Sequence, residues 1–151
     1  MKKLLKILLS LLVVITIGCT KDSKEKYPVQ SIAGEWKLIA YENFELNNTI
    51  TQSLENSNGH DVIVSIYENE DFNSIQISTE YNHHSAYYSF QSDTSFTLSN
   101  IYIELVGGEL FWSSTITDIL TSTNHNFEIE DSELRIYYED NLKSILLELQ
   151  D

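Results

Sequence analysis

Short stretches in which apolar and polar side chains alternate recur along most of the chain. Residues 74–81 show the clearest alternation, with Ile75 and Ile77 on one face and Gln76 and Ser78 on the other. Such alternation is typical of a strand with one buried face. Similar stretches cover residues 35–41, 61–67, 86–91, 96–105, 127–138 and 142–149. We therefore predict an all-β domain of short strands joined mostly by tight turns, either a small antiparallel β-barrel or a closed sandwich.

Three segments depart from simple alternation. In residues 96–105 the apolar face changes parity, which predicts a β-bulge near Ser99 and Asn100. Residues 43–60 are rich in Asn, Ser and Glu and predict a long loop, with a short irregular element at residues 50–54. Trp112, Ile116, Ile119 and Leu120 recur at helical spacing, so one short helix is possible after residue 111.

The N-terminus has the features of a lipoprotein signal peptide. Three lysines among the first six residues precede an apolar run over residues 7–17, which is too short to span a bilayer. Gly18-Cys19 then matches the site at which a signal is removed and the new N-terminal cysteine is acylated. We predict a signal peptide at residues 1–18, a lipidated Cys19 that carries palmitate-type chains, a tether over residues 19–30, and the β domain at residues 31–151. The alternative is a secreted protein with one remaining thiol.

The predicted location is the cell envelope, with the protein anchored as an outer-membrane lipoprotein. Because each buried methylene contributes about 0.8 kcal/mol, two or three acyl chains hold a protein firmly in a membrane. Asp22 and Glu25, close to Cys19, are similar to the acidic export tags of surface lipoproteins. Both a periplasmic and a surface-exposed position are therefore compatible with the sequence.

The net charge narrows the choice of partners. Residues 1–18 hold three of the nine Lys and Arg residues and none of the 23 Asp and Glu residues, so residues 19–151 carry a formal charge of −17. From Ser31 onward the only basic residues are Lys37, Arg135 and Lys143. A field of this sign repels nucleic acids and anionic lipids and attracts cationic partners.

Both ends of the predicted domain resemble known families of small exported β domains. Residues 32–38, with Gly34 two positions before Trp36, are similar to the opening of lipocalin-like domains and of META domains. Residues 111–149 resemble the META ending, a short helix before a hairpin and a last apolar strand. The resemblance implies a lipocalin-like or META-like barrel, in which Arg135 packs on Trp36. It implies no catalytic residues, and Trp36 is either a core residue or a ligand contact.

No arrangement of side chains points to catalysis, a cofactor or a metal. His60, His83, His84 and His125 lack the spacing of metal ligands, and adjacent His83 and His84 point to opposite faces of a strand. The sequence has no Gly-x-Ser-x-Gly motif, and nothing distinguishes two of its many carboxylates as a catalytic pair. We therefore predict a protein that is not an enzyme, and a hydrolase is only a distant alternative.

A group of aromatic residues on neighbouring predicted strands is the most suggestive feature for binding. These residues either line a cup for a small apolar or carbohydrate ligand or fill the barrel interior. The preferred hypothesis is ligand binding without catalysis. The alternative is a structural or protein-interaction module with a filled core and an acidic face for a basic envelope partner. The group consists of Tyr81, Tyr87, Tyr88, Phe90, Phe96 and Tyr102.

Overall fold

The structure is a computed structural model that describes residues 30–104 and 110–150. The predicted signal peptide, Cys19 and the tether up to residue 29 lie outside the described residues. Within the two described ranges, no helix is long and apolar enough to cross a membrane.

Nine antiparallel strands follow one another in the described chain, and eight of them form a closed barrel. Each strand pairs with the next, except that β2 lies on the edge of β1 while β3 also pairs with β1. The barrel closes because β9 returns to β1, which confirms the predicted all-β barrel. The strands are β1 (Gly34–Asn43), β2 (Asn48–Thr51), β3 (Ile63–Glu68), β4 (Asn73–Ser78), β5 (His83–Ser92), β6 (Ser95–Tyr102), β7 (Asn124–Glu130), β8 (Glu133–Tyr138) and β9 (Lys143–Leu149).

The alternation of each strand decides which side chains enter the barrel. Leu134 of β8 pairs with Leu147 of β9, which pairs in turn with Leu38 of β1, and all three are fully buried. Directly paired residues of an antiparallel ladder share one face of the sheet, so this apolar layer continues around the inside of the wall. The intervening side chains point outward, among them Arg135 between buried Leu134 and Ile136.

The predicted bulge in β6 is confirmed. Between the pairs Tyr87–Ser99 and Ser85–Tyr102, β5 advances by two residues and β6 by three. The extra residue lies next to Asn100, whose φ of 48° is in the left-handed region that asparagine tolerates better than most residues.

The predicted helical segment is present as two short pieces. These are α2 (Phe111–Ser114) and α3 (Thr117–Thr121), and a third piece, α1 (Leu54–Ser57), follows β2. The hydroxyls of Thr115 and Thr117 donate to the carbonyls of Phe111 and Ser114, each at 2.8 Å. Such bonds and β-branching weaken a continuous helix. The residues at helical spacing are nevertheless all buried: Trp112, Ile116, Ile119 and Leu120.

The turns alternate between two ends of the barrel because the strands are antiparallel. The start of β1 and the β3–β4, β5–β6 and β7–β8 turns lie at one end, which we call the N-terminal end. The β1–β2 and β8–β9 turns lie at the other. We call this the helical end, because α2 packs there: the Tyr41 hydroxyl, near the end of β1, donates to the Trp112 carbonyl at 2.6 Å.

Candidate functional site

Aromatic side chains of the neighbouring strands β5, β6 and β7 contact one another inside the barrel. The ring of Tyr88 lies 5.4 Å from that of Phe90 and 5.5 Å from that of Phe96, both nearly edge to face. Phe127 lies 6.0 Å from Phe90 and 6.1 Å from Phe96. These separations are those of packed aromatic pairs. Three of the six residues predicted to line a ligand cup therefore pack against each other and occupy the interior.

The other three predicted lining residues lie outside the barrel, so the prediction of one six-residue cup is wrong. Tyr87 lies on the outer face of β5, because its neighbours Ala86 and Tyr88 both point inward. Tyr81 is exposed in the β4–β5 turn. In the first half of β6 the even-numbered residues Phe96 and Leu98 point inward. The bulge reverses this alternation, so Tyr102 is exposed.

Trp36 is a core residue near the N-terminal end of the barrel. Its side chain is 2 % exposed, and its indole nitrogen donates to the carbonyl of Ile32 at 3.0 Å. Because Gly34 has no side chain, the indole of Trp36 and the side chain of Leu149 can lie close to the backbone at position 34. A Cβ at Gly34 would lie 3.0 Å from the side chain of Leu149 and 3.2 Å from the indole nitrogen.

Arg135 does not pack on Trp36, which corrects the role implied by the lipocalin resemblance. The two side chains lie on opposite faces of the barrel wall, since Arg135 points outward and Trp36 shares the inner face with Leu38. Arg135 Nε instead donates to Glu42 Oε2 at 2.8 Å, and the Ser144 hydroxyl donates to the same oxygen. The hydrogen bond to Glu42 raises the pKa of Arg135 above its ordinary value.

The acidic surplus of the domain is not neutralised at the surface. Lys37 pairs with Asp61 and Lys143 pairs with Glu139, each at 2.8 Å, and Arg135 is bound to Glu42. The hydrogen bond from Lys37 lowers the pKa of Asp61. Because every basic side chain of the described residues already has a carboxylate partner, the remaining carboxylates leave the surface negative.

A pocket of about 290 Å³ opens at the helical end, and we call it the mouth pocket. It lies between the β1–β2 hairpin, the α2–α3 segment and the ends of β8 and β9. At its rim, Leu46 is 71 % exposed and Phe111 is 56 % exposed. Tyr41 packs edge to face on Trp112 at 5.0 Å. The complete lining is Tyr41, Glu42, Asn43, Leu46, Asn48, Ile50, Phe111, Thr115, Asp118, Tyr138 and Lys143.

The mouth pocket combines apolar walls with a small number of charged groups. Desolvation raises the pKa of Asp118, and the nearby Lys143 opposes this effect. Burial, with Asp118 and Glu139 as further causes, raises the pKa of Tyr138 to about 12. The Asp118 carboxylate makes no hydrogen bond or ion pair with any residue of the described ranges. An apolar pocket with a few converging polar groups is the usual form of a small-molecule site.

A second concave surface lies on the outer wall over β7, and we call it the β7 groove. Its two lobes have volumes of about 490 and 410 Å³ and share Asn126 and Asn141, whose side chains are joined by a 3.0 Å hydrogen bond. Asn141 lies in the β8–β9 turn, where it and the two residues before it, Glu139 and Asp140, have positive φ angles of 48–66°. The remaining lining is Gln91, Thr94, Ser95, Phe96, Thr97, Asn124, His125, Phe127, Glu128, Tyr137, Tyr138 and Asp140.

The histidines are distributed over separate sites. His60 lies 3.1 Å from Glu80, and His83 lies 3.1 Å from Ser78. His125 is buried, and its two ring nitrogens face the carbonyls of Ser122 and Tyr137. In the described part of the chain, no three His, Cys, Asp or Glu residues are arranged to hold a metal ion.

No local pattern in the sequence indicated either concave surface. Leu46 lies in a polar, Asn-rich stretch, where an isolated apolar residue was a weak signal of a pocket wall. Asp118 lies within a helical pattern, where one acidic residue is ordinary. Neither residue was among the predicted lining residues.

Comparisons with protein-family models, curated proteins and solved structures found no match to the chain. The resemblance of its two ends to lipocalin-like and META domains therefore stays a prediction. The function has to be inferred from the geometry of the pockets and from the sequence of this chain.

Proposed function

We propose that the protein is a lipid-anchored, non-catalytic binding protein of the cell envelope that takes a small ligand with an apolar group into the mouth pocket. The observation that carries this proposal is the exposure of Leu46 and Phe111 around a concave, mostly apolar surface. Ligand sites typically have volumes of about 300–1,000 Å³. The mouth pocket is at the lower limit of this range, which favours a ligand with one aromatic ring or a short alkyl chain.

The position of the mouth pocket supports binding by an anchored protein. The chain enters β1 at the N-terminal end of the barrel, where the predicted tether joins the domain. The mouth pocket lies at the opposite, helical end, away from the point at which the tether joins.

The barrel interior is a less suitable site for the same ligand. Tyr88, Phe90, Phe96 and Phe127 already contact one another there. A ligand at this position would have to displace packed rings, and forcing extra volume into a packed core typically costs about 1–3 kcal/mol.

Carbohydrate binding in the β7 groove is a second candidate function. The side-chain amides of Gln91, Asn124, Asn126 and Asn141 each supply donors and an acceptor, which match the hydroxyls of a sugar. Tyr137 adds an aromatic ring in the adjoining lobe. Loss of oligosaccharide binding in Asn126→Ala would support this function, whereas unchanged binding of a neutral hexasaccharide would contradict it.

Two exposed leucines at the helical end provide a matched test of the mouth pocket. Leu46 lines the pocket, whereas Leu54 of α1 is outside its lining and is 77 % exposed. Covering half of a leucine side chain is worth roughly 1 kcal/mol, about a fivefold change in affinity. We expect Leu46→Ser to weaken the binding of 2-phenylethanol by about that factor in saturation-transfer NMR titrations, and Leu54→Ser to leave it unchanged. Equal effects of the two variants, or no binding at millimolar ligand, would refute the proposal.

A further inference from the structure

The Asp118 carboxylate is the one acidic group of α3 at the mouth pocket, and its surroundings are unusual. Ile119 and Leu120 of the same helix are buried, while Asp118 lies on the opposite, exposed side of the helix and lines the pocket. Partial burial at the pocket raises its pKa, and the nearby Lys143 opposes this effect. No side chain of the described residues donates a hydrogen bond to it, so its oxygens are available to a ligand.

The lysine at the same pocket is already committed. Lys143 Nζ lies 2.8 Å from Glu139 Oε1, four residues earlier in the chain. This hydrogen bond raises the pKa of Lys143 above its ordinary value. An anionic ligand would have to compete with Glu139 for Lys143 and would approach Asp118 as well.

From these two observations we infer that Asp118 is a specificity-determining residue that selects ligands with a positive charge. The inference rests on the proposed function and names its ligand class: a small amine that carries one aromatic ring or a short alkyl chain. The ammonium group binds the Asp118 carboxylate, while the apolar part contacts Leu46, Ile50 and Phe111.

Three physical effects favour this class over neutral or anionic ligands. Hydrogen bonds between ionised groups are shorter and stronger than neutral ones, particularly where water is partly excluded. The exposed ring of Phe111 in the lining is a further group that attracts cations. The formal charge of −17 on residues 19–151 also concentrates cations near the whole surface.

The test compares three ligands of similar shape and different charge by isothermal titration at pH 7. The ligands are 2-phenylethylamine, 2-phenylethanol and 3-phenylpropionate, each measured with the unmodified protein and with Asp118→Asn. We expect the amine to bind at least about tenfold more tightly than the alcohol, and the propionate to bind most weakly. In Asp118→Asn the amine should lose most of its advantage over the alcohol, whose own binding should not change.

Glu45→Gln is the matched control, because it removes one negative charge from the β1–β2 turn at the same end of the barrel and lines neither the mouth pocket nor the β7 groove. This variant should keep the preference for the amine. Both variants should retain the melting temperature of the parent, since Asp118 makes no hydrogen bond or ion pair within the described residues.

The outcomes separate the inference from the proposed function. If Asp118→Asn keeps the tenfold preference for the amine, or if the unmodified protein binds amine and alcohol equally, the role of Asp118 is refuted while ligand binding stands. If Glu45→Gln loses the preference as well, the overall field and not Asp118 selects the amine, which also refutes the inference. If none of the three ligands binds, the proposed function itself is wrong.

Discussion

Replacing Trp36 by alanine should destabilise the barrel severely. The indole is 2 % exposed and donates a 3.0 Å hydrogen bond to the Ile32 carbonyl. Truncating a buried tryptophan typically costs about 3–5 kcal/mol, and the unfolding free energy of a whole domain is about 5–15 kcal/mol. At roughly 4 °C per kcal/mol for a domain of this size, the melting temperature should fall by about 12–20 °C.

Two further kinds of variant show whether the loss has the proposed cause. Trp36→Phe keeps most of the ring volume but removes the indole N–H, so we expect a loss of about 1–2 kcal/mol. Alanine at exposed Glu70 or Glu130 should change the stability by less than about 0.5 kcal/mol.

The assay is urea unfolding followed by far-ultraviolet circular dichroism, because the substitution removes one of the two tryptophans that fluorescence would report. The slope of free energy against urea should stay constant, which shows that the same surface unfolds in each variant. If Trp36→Ala unfolds within about 1 kcal/mol of the parent, the indole is not buried in the barrel.

Three other predictions address the anchor, a buried histidine and the β6 bulge. Cys19→Ser should yield protein without an acyl mass increment in the membrane fraction, and acylated material from this variant would end the lipoprotein hypothesis. Burial lowers the pKa of His125 from its ordinary value of 6.5, so the unfolded chain takes up a proton first and stability falls as the pH drops below 6.5. His125→Gln should flatten that fall between pH 7.5 and 5.5 in urea titrations, and an unchanged slope would contradict the assignment. Asn100→Val should lower the free energy of unfolding by about 1–2 kcal/mol and Asn100→Gly should leave it almost unchanged, because the backbone at position 100 is in the left-handed region. Equal stabilities of the two variants would argue against the bulge.

The strands were predictable because they follow from local alternation, and many short strands joined by tight turns favoured a closed architecture. Ile75 and Ile77 point inward as their spacing indicates, and the parity break near Asn100 marks a real bulge. The four-residue strand β2 was predicted only as part of a loop. It lies at an edge and partly buries one residue, Ile50, so its sequence carries little alternation.

The side on which each aromatic residue lies was harder to predict. Tyr87 and Tyr88 are adjacent, and only the pairing of β5 with its neighbours decides which of them enters the core. For Tyr102 the parity depends on the exact residue at which the bulge occurs. Which of the six aromatic residues point into the barrel could therefore not be predicted without this register.

Contacts between distant parts of the chain could not be predicted from the sequence. Arg135 donates a hydrogen bond to Glu42, which lies 93 positions earlier in the sequence. The pairing of β1 with β9 brings the two residues together. The mouth pocket has the same origin, since Leu46, Phe111 and Lys143 belong to separate segments that meet only when the barrel closes. Such a pocket leaves no local pattern in any one segment.

The most direct test of the central claim is to map 2-phenylethylamine on the protein by chemical-shift perturbation of backbone amides and side-chain methyls. We expect the largest changes at Leu46, Ile50 and Phe111, saturating with a single dissociation constant. Perturbations concentrated instead at Phe90 and Phe127 in the barrel interior, or at Asn126 in the β7 groove, would show that the mouth pocket is not the binding site.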